Sequence, residues 1–206
     1  MIKELFFPSE CVFCKLLSKQ FVCKKCAQNK LNLECKLSKE VDGIDYLVYF
    51  VDFKGSYKQM VYRGKYKFDK YVWKLIAENI SRKMHFKPNS FLTYVPISWL
   101  RYCFRGFNQS KLIAENVIGV DVIGLLKRIG GSYSISKSNK KNRFETMKKS
   151  LNLGKKFDLS SYKYCYLVDD VYTSGATMQT AAALIKAEYP HLKVIGLCFA
   201  KTPLNS

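Results

Sequence analysis

The sequence predicts an α/β protein in which helices flank a largely parallel sheet, preceded by a small N-terminal module organised by cysteine. Three observations carry this. Cys11, Cys14, Cys23 and Cys26 form a CxxC-x8-CxxC pattern at the front of the chain. Short β-branched and aromatic runs then alternate with segments of helical periodicity. Residues 164–199 read as strand, polar loop, helix and strand, a βαβ unit whose two strands are expected to lie parallel.

The elements follow in order. Two CxxC knuckles let each pair of thiolates grip a tetrahedral ion from one tight turn. In a reducing compartment such a quartet points to a structural zinc site rather than to disulfides. Apparent zinc-binding energies of ~10–16 kcal/mol in finger peptides would then hold together a segment too short to bury its own core. The competing readings are relic turns or a redox CxxC, but thioredoxin-type chemistry wants one such motif opening a helix after a strand. Cys35 and Cys103 stand apart, while Cys165 and Cys198 fall in apolar runs and read as small core residues. The module is expected to span 1–40 and the main domain 41–206.

Within the main domain, Ile44 to Phe53 reads as a strand. Val72, Leu75, Ile76, Ile80 and Met84 repeat at helical spacing, with Asp69 as cap. Phe91 to Val95 is an apolar run ended by Pro96, followed by a loop carrying Arg101 and Arg105 and a helix whose face is Ile113, Ala114, Val117 and Ile118. Val120 to Ile129 is expected to contain a short strand, and 137–150 is polar and basic with weak helical character. Tyr164 to Val168 is a continuous apolar strand. The helix Ala176 to Glu188 buries Met178, Ala181, Ala182 and Ile185 and stops before Pro190, and Lys193 to Phe199 supplies the last strand.

A chain of 206 residues fits one ordinary domain plus an appendage and excludes a large multidomain machine. Its 48% apolar and 15% aromatic content excludes a disordered protein. The 35 Lys and Arg against 16 Asp and Glu give +19, which favours phosphate-bearing partners or an anionic surface. No apolar stretch reaches the ~18 residues of a membrane span. Met1 to Pro8 offers no export signal, so a cytoplasmic protein without a membrane span is expected.

Ligands of open α/β sheets bind where loops leave the carboxyl ends of strands, which places a site just after Val168. There the chain reads Asp169-Asp170-Val171-Tyr172-Thr173-Ser174-Gly175-Ala176-Thr177. Thr173, Ser174 and Thr177 offer hydroxyls, Gly175 permits close backbone approach, and the first turn of the helix offers free N–H groups, together an anion pocket. Two carboxylates beside an anion would repel it unless they face ribose hydroxyls or a magnesium ion. The combination asks for a sugar phosphate. Acid pairs after buried strands also hold magnesium in ATPases and receiver domains, but the hydroxyl–glycine loop at this offset favours the sugar phosphate.

These nine residues resemble the 5-phosphoribosyl diphosphate (PRPP) fingerprint of type I phosphoribosyltransferases, D-D-x-x-T-[ST]-G-x-T after an apolar strand. The resemblance implies a phosphoribosyltransferase-like sheet and a PRPP site formed by Asp169, Asp170, Val171, Thr173, Ser174, Gly175, Ala176 and Thr177. It implies that the acids, the candidate catalytic pair, hold the ribose 2′ and 3′ hydroxyls, that the loop wraps the 5′-phosphate, and that Mg2+ accompanies PRPP.

A second resemblance covers nearly the whole chain. The ComF family places a four-cysteine zinc module before a phosphoribosyltransferase domain, and a strand ending in proline precedes a basic R-G-F-N-Q segment. Here Val95-Pro96-Ile97-Ser98 is followed by Arg101 and by Arg105-Gly106-Phe107-Asn108-Gln109. Arg101 and Arg105 read as positive charge for a diphosphate, against the alternative of a solvated turn. The chain departs from the family between Lys137 and Leu151, where Arg143 stands for the shared arginine and Thr146 occupies the place of an asparagine. The resemblance implies a PRPP-binding protein that handles single-stranded DNA in natural transformation, with other competence proteins as partners. The alternative is an active phosphoribosyltransferase of nucleobase or nucleotide metabolism.

The charge concentrates in two places. Lys137, Lys140, Lys141, Arg143, Lys148, Lys149, Lys155 and Lys156 face Glu145 as the sole acid of residues 137–156. Lys54, Lys58, Arg63, Lys65, Lys67, Lys70 and Lys74 surround Asp69. A nucleic-acid backbone would meet such surfaces, with Tyr57, Tyr62, Tyr66 and Phe68 available to stack on bases. The competing reading is lysine enrichment from an AT-rich genome, with the residues merely solvated.

Overall fold

The apolar runs of the sequence become the strands of one twisted sheet. The computed structural model describes residues 9–39, 41–129 and 150–203. The chain opens with β1 (Ser9–Glu10) and β2 (Leu17–Ser18), paired antiparallel, then α1 (Lys24–Lys30) and β3 (Lys36–Ser38). β4 (Tyr46–Tyr49), β5 (Val51–Asp52), α2 (Gly55–Tyr66), α3 (Lys70–Lys83) and β6 (Ser90–Tyr94) follow. Next come α4 (Trp99–Arg105), α5 (Gln109–Asn116), β7 (Asp121–Val122), and the antiparallel pair β8 (Leu126–Arg128) and β9 (Leu151–Leu153). The chain closes with β10 (Tyr164–Tyr172), α6 (Ala176–Glu188) and β11 (Lys193–Lys201). No helix among the described residues is long and apolar enough to cross a membrane.

The main sheet has the order β3-β4-β11-β10-β6-β7, with β5 also on β11. Every pairing is parallel except that of β3 with β4. β10 leads through α6 to β11 on one side of it, whereas β6 leads through α4 and α5 to β7 on the other. The direction of winding therefore reverses between β6 and β10, the kind of crevice in which open α/β sheets bind ligands.

Side chains alternate between two apolar layers, as the two-residue period of a strand requires. Phe91, Cys165, Leu167, Val194 and Cys198 pack with Met178, Ala181, Ala182 and Ile185 of α6. Leu92, Tyr166, Val168, Ile195 and Leu197 pack with buried residues of α2, α3 and α5, among them Met60, Trp73, Ile76 and Ile113. Cys11, Val12, Val22, Cys26 and Leu31 of the front segment join this second layer. Asn79 of α3 ties that segment down: its Oδ1 accepts from the Leu33 N–H at 3.0 Å and its Nδ2 donates to the Leu33 carbonyl at 3.4 Å.

Local expectations largely hold. Asp69 caps α3 by accepting from the Tyr71 N–H at 3.2 Å. α2 and α3 pack closely because residue 64 is glycine; a Cβ there would lie 2.6 Å from the Trp73 ring. Other expectations need correcting. The strand foreseen over Ile44 to Phe53 divides at Phe50 into β4 and β5, although both keep one register on β11, with Val48 opposite Leu197 and Val51 opposite Ala200. Ile118 is 80% exposed rather than on the α5 face, because the helix ends at Asn116 and helical periodicity no longer orients it. β10 continues through Tyr172 instead of stopping at Val168, because β11 is equally long and pairs with it to the end. The segment 137–149, with most of its basic cluster and Arg143 and Thr146, lies outside the described residues.

Candidate functional site

The cavity of the βαβ unit is built around one glycine. Gly175 has φ +78°, the left-handed region that side chains disfavour, and a Cβ there would lie 2.1 Å from the Tyr172 phenol oxygen. Gly175 is also the cap residue of α6 and supplies no side-chain acceptor to its first turn. The N–H groups that a helix leaves unbonded at its start, and the positive end of its dipole, are thus offered to whatever occupies the loop. A cavity of about 60 Å³ is lined by Asp169, Val171, Tyr172 and the run Thr173 to Met178. That is several times the ~10–15 Å³ one water requires.

The two acids occupy unlike surroundings. Asp169 Oδ1 accepts from the Ser110 hydroxyl and from the Asp170 N–H, both at 2.9 Å. Burial, then the neighbouring charge of Asp170, push the Asp169 carboxyl up to about 7, against the opposing pull of Lys65 and of these two donors. Asp170 is 4% exposed and does not line the cavity. Its Oδ2 lies 2.5 Å from the Lys65 ammonium, which reaches in from the last turn of α2. A buried carboxylate requires such a partner. In the sequence Lys65 stands as one of seven cations of a basic surface, and only the tertiary fold reveals its pairing.

Arg101 and Arg105 lie on α4 rather than on a loop. Ser98 starts the helix by accepting from the Arg101 N–H at 3.4 Å, and Gly106, with φ +72°, ends it. Arg105 donates from Nη1 to Gln109 Oε1 at 3.1 Å, and its guanidinium sits 5.5 Å from the Tyr66 ring centre. Burial and the charge of Arg101 lower its pKa, partly offset by Asp170. Phe107 is buried beneath the Lys70 ammonium. Asn108 caps α5 through Oδ1 and donates from Nδ2 to the Val95 carbonyl at 3.0 Å. The pentapeptide is therefore a joint between β6 and α5 that sets the Ser110 hydroxyl on Asp169.

A third arginine, Arg128 of β8, completes the cationic side. Burial and Arg101 lower its pKa while Asp169 raises it, and it donates to the Pro96 carbonyl at 3.5 Å and to Ser150 Oγ at 3.4 Å. Lys65, Ser110 and Arg128 are the site residues that sequence reasoning did not assign. Ser110 was within reach, being adjacent to the pentapeptide; the other two depend on distant contacts.

The four front cysteines converge. Their sulphurs all lie within 4.8 Å of one another, and Cys14 and Cys23 are 3.8 Å apart. A tetrahedral ion with Zn–S bonds of ~2.3 Å would hold its sulphurs ~3.8 Å apart. The Cys23 sulphur caps α1 by accepting from the Cys26 N–H at 3.4 Å, and Lys15, with φ +64°, closes the first knuckle. Burial opposes ionisation of Cys11, but the N–H groups of Cys14, Cys23 and Phe13 outweigh it and hold that thiol at about 6. Cys26 is pushed up to about 12 by burial and by the neighbouring thiols. The donor set fits a tetrahedral thiolate-bound metal. Among the described residues no other group of three or more His, Cys, Asp or Glu meets the same proximity. Cys165 and Cys198 are buried in the core.

Of the aromatic residues expected to stack on bases, Tyr57 is turned inward: its hydroxyl donates to the Lys30 carbonyl at 3.0 Å and its ring packs edge-on against Phe13. Tyr62, Tyr66 and Phe68 are 44%, 54% and 43% exposed. α4 adds Trp99, Leu100, Tyr102 and Phe104 to this exposed apolar surface, with Phe104 against Phe68 at 5.3 Å.

No protein-family profile matches the chain. It is 28% identical over 169 residues to Competence protein ComFC of Streptococcus pneumoniae, covering 80% of this chain and 74% of that one. It is 29% identical over 111 residues to Competence protein F of Haemophilus influenzae, covering 52% of this chain and 48% of that one. With a cysteine quartet preceding a mostly parallel α/β sheet, these two relatives support assignment of the chain to the ComF family.

Proposed function

We propose that this chain is a competence-associated protein whose pocket at the start of α6 takes PRPP. The observation that carries this reading is the left-handed Gly175, which leaves the first turn of α6 uncapped beside a small cavity walled by hydroxyls and Asp169. The 5′-phosphate meets the N–H groups of that turn and the hydroxyls of Thr173, Ser174 and Thr177. Asp169 accepts from the pentose hydroxyls with Asp170 behind it, while Arg101, Arg105 and Arg128 supply charge for the diphosphate. Magnesium bound with the ligand would neutralise part of that diphosphate. In the cysteine module a zinc ion enclosed by four thiolates has no open position, so its part is to brace the fold.

Single-stranded DNA is the macromolecular partner this reading favours, because exposed Tyr62, Tyr66 and Phe68 lie among Lys58, Lys67 and Lys70. A protein neutralising six to ten phosphates loses roughly 10³–10⁵ in affinity between 50 and 200 mM salt. A salt-independent affinity removes DNA from the reading.

A second reading, an active phosphoribosyltransferase, draws on the Asp169 carboxyl, which at about 7 can exchange a proton near neutral pH. Calorimetric titration with PRPP and magnesium tests the pocket: saturable binding supports it, and no heat with a folded, metal-loaded protein rejects it. Diphosphate release from PRPP with a panel of nucleobases then decides for turnover, and silence across the panel favours binding alone.

A further inference from the structure

We propose that Lys65 is a built-in counter-ion of Asp170, a positioning residue that keeps a divalent cation off the acid pair and leaves Asp169 to meet a ligand's hydroxyls. The ligand in this statement rests on the sugar-phosphate reading; the counter-ion role does not.

The geometry is specific. The Lys65 ammonium lies 2.5 Å from Asp170 Oδ2, with the lysine side chain 18% and the aspartate side chain 5% exposed. Asp169 Oδ1 already accepts from Ser110 and from the Asp170 N–H. A hard divalent ion needs several oxygen ligands in near-ideal geometry. Here one carboxylate oxygen faces an ammonium and another is occupied by two donors. Arg105 acts on Asp170 and Arg128 on Asp169, so further positive charge surrounds the acids.

Lys65 cannot easily withdraw. α2 is anchored by buried Met60 and Val61, and Gly64, the residue before it, packs directly beneath the Trp73 ring. The lysine is therefore carried by a rigid element, as a positioning residue must be. Adjacent carboxylates near one anion would repel it. With Lys65 in place the pair presents reduced negative charge, and a phosphate can settle in the neighbouring loop with less opposition.

The test titrates manganese(II) into the zinc-loaded full chain without any sugar phosphate and follows the free-ion signal by electron paramagnetic resonance. The wild type and Lys65→Arg are expected to take up none at the acids. Lys65→Met is expected to take up one equivalent, lost again when Asp170→Asn is added, with circular dichroism confirming that each variant is folded. Manganese uptake by the wild type equal to that of Lys65→Met, or no uptake by folded Lys65→Met, overturns the proposal; should Lys65→Met fail to fold, Lys65→Gln carries the same comparison. A second arm measures PRPP affinity with and without magnesium. Both proteins should lose the affinity that magnesium supplies at the diphosphate, and Lys65→Met should lose on the order of tenfold more than the wild type on omitting the ion. If the wild type ignores PRPP in both buffers while manganese uptake still appears on removing Lys65, the sugar-phosphate reading falls and the counter-ion role stands.

Discussion

Two polar segments meet at the carboxyl end of the sheet and use their polar groups in opposite ways. From Asp169 to Thr177 the chain bends around a left-handed glycine and lines an open cavity. From Arg105 to Gln109 the polar groups are turned inward: Arg105 bonds Gln109, and Asn108 both caps α5 and holds the Val95 carbonyl. Both read as motifs in sequence. Their hydrogen-bond partners separate them, since buried polar groups must be paired within the fold whereas a ligand site keeps donors in reserve. Substitutions in the first segment should act on binding, and those at Gly106 and Asn108 of the second on stability.

The largest effect is expected at the ion pair beneath the first segment. Lys65→Met leaves the buried Asp170 without its counter-ion, and breaking a buried ion pair in this way costs about 3–5 kcal/mol. Urea denaturation should show that loss, with much of it recovered when Asp170 is also replaced by Leu. Next, Gly175→Ala meets both a positive φ and the Tyr172 hydroxyl; the backbone strain alone costs about 1–3 kcal/mol, and PRPP binding measured by calorimetry should vanish. Gly106→Ala sharpens the contrast. Its φ is +72° but no heavy atom lies within 4 Å of the added carbon, so a melt should fall by the equivalent of about 1–2 kcal/mol while binding persists.

Asn108→Ala removes the cap of α5 and should cost about 0.5–2 kcal/mol, with metal uptake by the cysteine module unchanged. A further effect concerns pH. The Asp169 carboxyl is raised in the fold from 3.8 to about 7, so between those values the folded protein binds more protons than the unfolded chain. Its contribution to stability is therefore full below about pH 4 and is lost as pH rises through about 7. Comparing denaturation at pH 5 and pH 8 for the wild type and Asp169→Asn should show this slope in the wild type and its loss in the variant.

Much of the architecture was legible because its signals are local. The helix over 176–188, its buried face of Met178, Ala181, Ala182 and Ile185, and the Asp69 cap depend on residues within a few positions of one another. So does the cysteine quartet, whose spacing brings its sulphurs together. Expectations slipped where a neighbour decides the outcome. β10 outlasts Val168 because β11 runs beside it, and the arginines thought to lie on a loop form α4 because Ser98 and Gly106 bound a helix. Lys65 and Arg128 carried no local signal at all.

From the order of residues alone followed the α/β class, the cysteine knuckles, the βαβ unit and the glycine-centred loop, because periodicity, turn chemistry and short spacings act between near neighbours. Only the folded chain decided which acid faces the cavity, which is tied to Lys65, and that the Arg105–Gln109 segment works as a joint. Those outcomes depend on contacts across 59 positions from Ser110 to Asp169, and on the still longer reach from α2 to β10. Charges and hydrogen bonds are satisfied in space, where burial sets their cost, and no window along the chain contains that information.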